Sequence, residues 1–247
     1  MLHLAAFTAS VANTGNVATQ ALADSYLNVN GTGFLLQENM FIMAAACMSA
    51  TMQRTRIVAA HLRAITLPFI RPTNIGVDPI AEPRVADYRR NPFQLIGGEV
   101  VDVEVSQGGA GAERATVFLL LGQPNAPAPA GDIYTIRGTS TTAATANVWS
   151  TLAVTFADTI PQGTFVCVGL EHQSANGQGC RLNFENQLQR PGCVSINALG
   201  DRTHPMFRQG ELGVWGKFRQ TRMPIVEVLC NAADAVHEIY LDIMKIG

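Results

Sequence analysis

"VEVSQGGAGAERATVFLLL" spans residues 103–121, and "VEVLCNAADAVHEIYLDIM" spans residues 226–244. Overlaid, the two place Val103, Glu104, Val105, Ala110, Ala112 and Phe118 on Val226, Glu227, Val228, Ala233, Ala235 and Leu241, a shift of 123 positions in a chain of 247. A shift of half the length is the trace a tandem duplication leaves, so the internal repeat is read before any motif.

The correspondence continues outward from these stretches. Phe41 of "NMFIMAA" falls on Phe165 of "GTFVCVG", and "TRI" at residues 55–57 falls on "CRL" at 180–182. "IRP" at 70–72 falls on "QRP" at 189–191, and Tyr88-Arg89 falls on Phe207-Arg208. The shifts stay between 119 and 125 and the order never changes. Between the copies, "QPNAPAPAGD" (residues 123–132) carries three prolines among small residues. Proline donates no ladder bond and holds the chain extended, which suits an interdomain linker. The expected organisation is a first domain over residues 1–122, a linker over 123–132 and a second domain over 133–247.

Each copy reads as β. In the second, candidate strands are Ile133–Ile136, Val148–Phe156, Thr164–Glu171, Gly179–Glu185, Cys193–Asn197, Glu211–Arg219, Ile225–Cys230 and His237–Met244, most of them separated by Gly, Pro, Asn or Asp. "TLAVTF" (151–156) and "EIYLDIM" (238–244) alternate as strands with one wet face do. In the first copy, "VADYRR" (85–90) and "ALAD" (21–24) read as short helices or loops. Eight short strands per copy, joined by long returns, predict an all-β fold of two tandem eight-stranded jelly-roll sandwiches with short helices in loops. An immunoglobulin-like sandwich is the alternative, and its Cys-Trp-Cys pattern is missing.

One asymmetry separates the copies. At a shift of 123, Leu119 falls on Asp242, yet "VFLLL" (117–121) loses all alternation. A strand apolar on both sides is covered on both sides. Asp242 is therefore expected to face water, and Leu119 to pack against the other domain or a neighbouring subunit.

Charged residues are 15% of the chain and hydrophobic ones 47%, with 22 glycines and 12 prolines, the composition of a turn-rich globular protein. The net charge of -2 leaves no basic excess for nucleic acid. Lysine occurs only at Lys217 and Lys245; the other cations are arginines, whose planar forks suit contact surfaces. Residues 1–18 lack the basic and apolar regions of a secretory signal, and the most apolar run, residues 41–52, is short of the ~20 residues of a bilayer span. Cys47, Cys167, Cys180, Cys193 and Cys230 are odd in number and form no C-x-x-C pair, so buried free thiols are expected.

Catalytic patterns are not apparent. The five histidines are scattered, with no H-x-H pair to grip a metal from one strand face, and His172 in "LEHQ" reads as a solvated or hydrogen-bonded loop residue. Serines lack the G-x-S-x-G setting. "GGAGA" (108–112) joins two β-patterned runs and reads as a hairpin turn, since a phosphate cradle opens a helix. No catalytic residue, cofactor or metal is expected. Arg71 and Arg190, each fixed by a following proline, either bond a neighbouring strand end or subunit or cap a sheet corner within their own domain. With Leu119 and the repeated Arg56 and Arg181, they form the set of candidate interface and structural residues.

With two β-rich copies and a central linker, the chain resembles the double jelly-roll major capsid proteins of icosahedral viruses of bacteria and archaea. "VWSTLAVTF" (148–156), "GTFVCVGLEHQSANGQGCRLNF" (163–184) and "FRQGELGVWGKF" (207–218) carry the look of such coat domains. The resemblance implies a structural virion protein, made in the host cytoplasm and not an enzyme. It implies homotrimers that form pseudo-hexagonal capsomers, whose partners are one another and minor capsid or vertex proteins, without sequence-specific nucleic acid. The connections here are short, so this would be a minimal version without tower loops. Two alternatives are a two-domain carbohydrate-binding protein using Trp149 and Trp215, and a bicupin-like enzyme, which would need a metal.

Overall fold

The computed structural model describes residues 2–11, 17–48, 52–63, 69–70, 85–107, 113–123, 130–196 and 205–247. The chain divides into two compact units, Leu4–Pro124 and Asn125–Gly247, with Met1–His3 grouped with the latter.

The principal strands of the first unit are β1 (Leu2–Val11), β2 (Gly33–Leu35), β3 (Met40–Met48), β4 (Met52–Val58), β5 (Phe69–Ile70), β6 (Phe93–Leu95), β7 (Val100–Gln107) and β8 (Glu113–Gly122). One sheet runs β6-β3-β8-β1 and the other β2-β7-β4-β5. Those of the second unit are β9 (Ile133–Ser140), β10 (Ser150–Leu152), β11 (Thr164–Gln173), β12 (Gly177–Asn183), β13 (Gly192–Val194), β14 (Gly216–Arg219), β15 (Ile225–Cys230) and β16 (His237–Lys245). Its sheets run β14-β11-β16-β9 and β10-β15-β12-β13. Adding eight to each label of the first unit yields the second. The structure is all-β, with helix among the described residues confined to Ala60–Arg63 and a 3-10 turn at Pro205–Phe207. No helix among them is long and apolar enough to cross a membrane.

Register matches as closely as order. Between β3 and β8, Leu120 faces Ala44 and Leu121 faces Ile42, leaving Met43 as an extra residue. Between β11 and β16, Asp242 faces Gly169 and Ile243 faces Cys167, leaving Val168 extra. The other sheets bulge alike: Gln53 is extra between β4 and β7, and Gln178 between β12 and β15. A bulge adds one residue to one strand and leaves the register on its two sides offset. The bulges match and so leave the correspondence unchanged where they lie; it shifts along the chain because the segments between strands differ in length, being 125 at the bulge residues (Met43 to Val168, Gln53 to Gln178), 123 from Glu104 to Glu227 and 122 from Leu120 to Asp242.

This register corrects two readings made at a single shift. Asp242 corresponds to Leu120, and Leu119 to Leu241. Because strand side chains alternate, a slip of one residue exchanges the faces. Leu119 is fully buried in the first unit's own core with Phe7, Val103 and Ile57, and does not lie on the outer face. Phe165 corresponds to Met40 for the same reason, both being buried, whereas Phe41 on the opposite face is half-buried. "IRP" and "QRP" also separate: Phe69 faces Arg56 as Gly192 faces Arg181, a shift of 123 where the motifs need 119.

Of the two segments read as helix or loop, Val85–Asp87 pairs as a strand along β3, whereas in the other residues 22–24 are loop and only Ala21 pairs, in Gln20–Ala21 along β1. Edge strands have open ladder groups, and a short polar segment that local propensity leaves undecided satisfies them.

The units differ on one face. In the first, Leu4, Ala6, Ala44, Ala46, Phe118 and Leu120 are buried on the face of their sheet opposite the core, which accounts for the unbroken apolar runs of β1, β3 and β8. In the second, the corresponding face carries Thr135, Glu171, Glu238, Tyr240 and Asp242. Its inner face packs Phe165 against Phe218, with ring centroids 5.8 Å apart, beside the buried Trp215 and Phe184. All five cysteines are buried and free.

Candidate interface and buried polar sites

The repeated Arg–Glu pair occupies one place in both units. Arg56 of β4 stands directly across from Glu104 of β7, and Arg181 of β12 across from Glu227 of β15. Directly opposed residues on a shared face are within side-chain reach, so opposite charges meet there. Arg56 Nε donates to Glu104 Oε2 at 2.5 Å, and Arg181 Nε to Glu227 Oε2 at 2.7 Å. Their settings differ: the Arg56 side chain is 27% exposed and that of Arg181 3%. In the second unit, Arg190 Nη1 also donates to both Glu227 oxygens, at 2.9 and 3.1 Å, and the Arg181 guanidinium lies 4.1 Å from the centroid of the Trp149 ring. A cation over an indole face gains most where water is excluded.

Of the candidates from sequence, Arg56, Arg181 and Arg190 thus bond a glutamate of their own unit, Leu119 lies in a core, and Arg71 falls outside the described residues. So do the "GGAGA" turn at 108–112 and most of the proline-rich segment, residues 124–129. Trp149 has a face engaged by Arg181, and Trp215 is buried.

Sequence reasoning missed the polar centre of the second unit. Asp242 does not face water: it is fully buried. Arg208 grips it bidentately, Nε to Oδ2 at 2.6 Å and Nη2 to Oδ1 at 2.9 Å. Thr135 Oγ1 donates to Oδ1 at 2.6 Å and the Gln209 backbone N–H to Oδ2 at 2.9 Å. Arg208 Nη1 also bonds Glu171, which accepts from Gln173 at 2.8 Å. Burial pushes the Asp242 carboxyl up, but the bonds from Arg208, Thr135 and Gln209 outweigh it and hold the group below its ordinary range. Glycine is required opposite: a Cβ on Gly169 would stand 2.4 Å from Asp242 Oδ2 and 2.9 Å from Arg208 Cα. The signal in sequence was the glycine beside the bulge; its partner Arg208 lies 34 residues from Asp242.

A second buried group joins His172, His237 and Ser195. His172 Nδ1 is 2.6 Å from Ser195 Oγ, and His172 Nε2 is 3.2 Å from His237 Nδ1. His237 Nε2 is 3.3 Å from the Asp234 backbone oxygen. All three side chains are buried, so His172 is not a solvated loop residue but the penultimate residue of β11. Among the described residues, no group of three or more His, Cys, Asp or Glu side chains could hold a metal ion.

No protein-family model and no curated protein matches the sequence. Among solved structures, the crystal structure of the major capsid protein P2 from Bacteriophage PM2 is similar at 10% identity over 100% of this chain and 98% of that one, with a TM-score of 0.29.

Proposed function

We propose that the chain is a structural virion protein, a major capsid protein whose two units are jelly rolls descended from one duplicated domain. The observation that carries the reading is the repeated strand order, in which each unit pairs its first strand with its eighth and its second with its seventh across two sheets. A jelly roll winds eight strands into two sheets in that manner, and this supports the reading. The four bulges, two per unit at matching positions, and the Arg–Glu pair support a common origin for the two. On this reading residues 1–122 and 133–247 are the domains, and 123–132 join them.

Three such chains carry six similar sandwiches, which suits a pseudo-hexagonal capsomer in an icosahedral shell. The work is then mechanical rather than catalytic. Capsomers hold together through apolar contact cores ringed by polar groups, where arginine forks bond carboxylates and carbonyls. The partners are copies of the chain, neighbouring capsomers and minor capsid or vertex proteins.

The test is the mass and appearance of the purified protein. The expected result is a species of three times the 26.5 kDa chain mass that closes into shells or sheets of hexagonal outline. A concentration-independent monomer that binds glycans on an array would instead establish the carbohydrate-binding reading.

A further inference from the structure

The order of donors along the buried histidine line follows from its last member. A backbone carbonyl only accepts, so His237 Nε2 carries the hydrogen that bonds Asp234 O. His237 Nδ1 is then an acceptor, so His172 Nε2 carries the hydrogen between the two rings. His172 Nδ1 accepts in turn, and the hydrogen of the 2.6 Å contact comes from the Ser195 hydroxyl. Three donors meet three acceptors, and both rings are neutral.

We propose that this line from Ser195 through His172 and His237 to Asp234 is an acid-sensitive fastening, which holds one end of the second unit closed at neutral pH and opens it when the histidine pair takes up a proton. An added proton finds an acceptor only in Ser195 Oγ, at the far end of the line, and brings no counter-charge with it. Placed on His237 Nδ1 it meets the His172 Nε2 hydrogen, and the line must reverse to accommodate it. Placed on His172 Nδ1, or reaching it by that reversal, it makes Ser195 Oγ the acceptor and leaves the Ser195 hydroxyl hydrogen to find another partner. Either way a cation is left in a stacked pair of buried rings with centroids 5.4 Å apart. Such a charge is stable only when paired or hydrated.

The surroundings offer little to neutralise it. From the turn before β16 comes the Asp234 carboxylate, whose oxygens already accept Ser174 Oγ at 2.5 Å, Asn176 N at 2.9 Å and Val236 N at 3.1 Å. From β15 comes Cys230 and from β13 Cys193, thiols that burial pushes upward and keeps neutral. Glu171 on β11 and Glu238 on β16 belong to the opposite face of the sheet, where they bond Arg208 and Arg137. Burial, then the neighbouring His237, hold the His172 imidazole down to about 3, with Asp234 opposing them.

What the line fastens is specific. Ser174 and Asn176 belong to the turn between β11 and β12, and Asp234 also pairs with Ala144 ahead of β10. Ser195 and Ile196 follow β13, and Ile196 bonds the His172 backbone at 2.9 Å. Four connections at one end of the unit are therefore tied to the two rings. The sign follows from linkage. The folded value of His172 is lowered, so its stabilisation is full above the unfolded histidine value of about 6.5 and is lost as pH falls below it. Carboxylates such as Asp242 act in a lower window, below about 4.

Hydrogen exchange of the full chain, corrected for intrinsic rates, tests the proposal between about pH 7.5 and about pH 5. Opening of the segments around Ser174–Asn176, Ser195–Ile196 and Asp234–His237 should rise by up to about tenfold per pH unit below 6.5, while β8 is unchanged. His172→Asn, alone or combined with His237→Gln, puts side chains that bond without titrating in their place and should remove that rise. Should either variant fail to fold, nitrogen NMR of the parent's imidazoles decides instead: both rings should carry hydrogen on Nε2 at neutral pH, and His172 should take up a proton in step with opening. Unchanged exchange at low pH, the same rise in the variants, or an imidazolium that forms while the segments stay protected would overturn it.

Discussion

Replacing Asp242 with asparagine tests whether the outer face of β16 is a structural centre or a wet surface. Asn keeps the size of the side chain and removes the charge. The carboxylate is fully buried and accepts four hydrogen bonds, two of them from Arg208. Removing one partner of a buried ion pair costs about 3–5 kcal/mol, because the other charge is left without compensation. Here Arg208 keeps Glu171, and its side chain is 21% exposed and so reached by water, which places the loss at the lower end, about 3 kcal/mol. In a unit of about 120 residues that lowers the melting temperature by roughly 9–18 °C. Calorimetry of parent and variant at neutral pH reads the difference. The carboxyl's folded value lies below its ordinary 3.8, so its stabilisation is present above that value and disappears as pH falls through the folded one. The variant should accordingly lose less stability than the parent between about pH 5 and pH 2. Melting within a degree or two of the parent, with the same acid profile, would refute the buried-pair reasoning.

Two further substitutions probe the repeat. Arg181→Ala should cost about 2–4 kcal/mol, since it strips a desolvated pair and uncovers Trp149, whereas Arg56→Ala, at the same place in the first unit but half-buried and reached by water, should cost about 1 kcal/mol; denaturant melts that rank them the other way would contradict the burial difference. Leu119→Asp should prevent the first unit from folding even in dilute monomer, because it puts an unpaired carboxylate in that unit's core; a variant that folds and fails only to associate would return Leu119 to an outer face.

Local alternation, turn residues and the near-match of Val103–Val105 with Val226–Val228 were enough, without tertiary information, to determine a repeated all-β chain and to locate the eight principal strands of the second unit. Those signals depend on residues close in sequence, and a strand's two faces are written in its own period of two. The register between copies was not legible, since a one-residue difference in the length of a connection shows only once each strand's partner is known. The first copy has one residue more between Glu104 and Leu120 than the second has between Glu227 and Asp242, so a single constant shift slid the last strands by one position and exchanged the faces of Leu119 and Leu120. The polar centres lay beyond local reading for a related reason. Asp242 finds Arg208 at a separation of 34 residues and His172 finds His237 at 65. An isolated aspartate or histidine reads as a surface residue until its partner is known. Burial of a charge or an imidazole is decided by the groups that surround it in space, and the folding of distant strands onto one another is what brought those groups together.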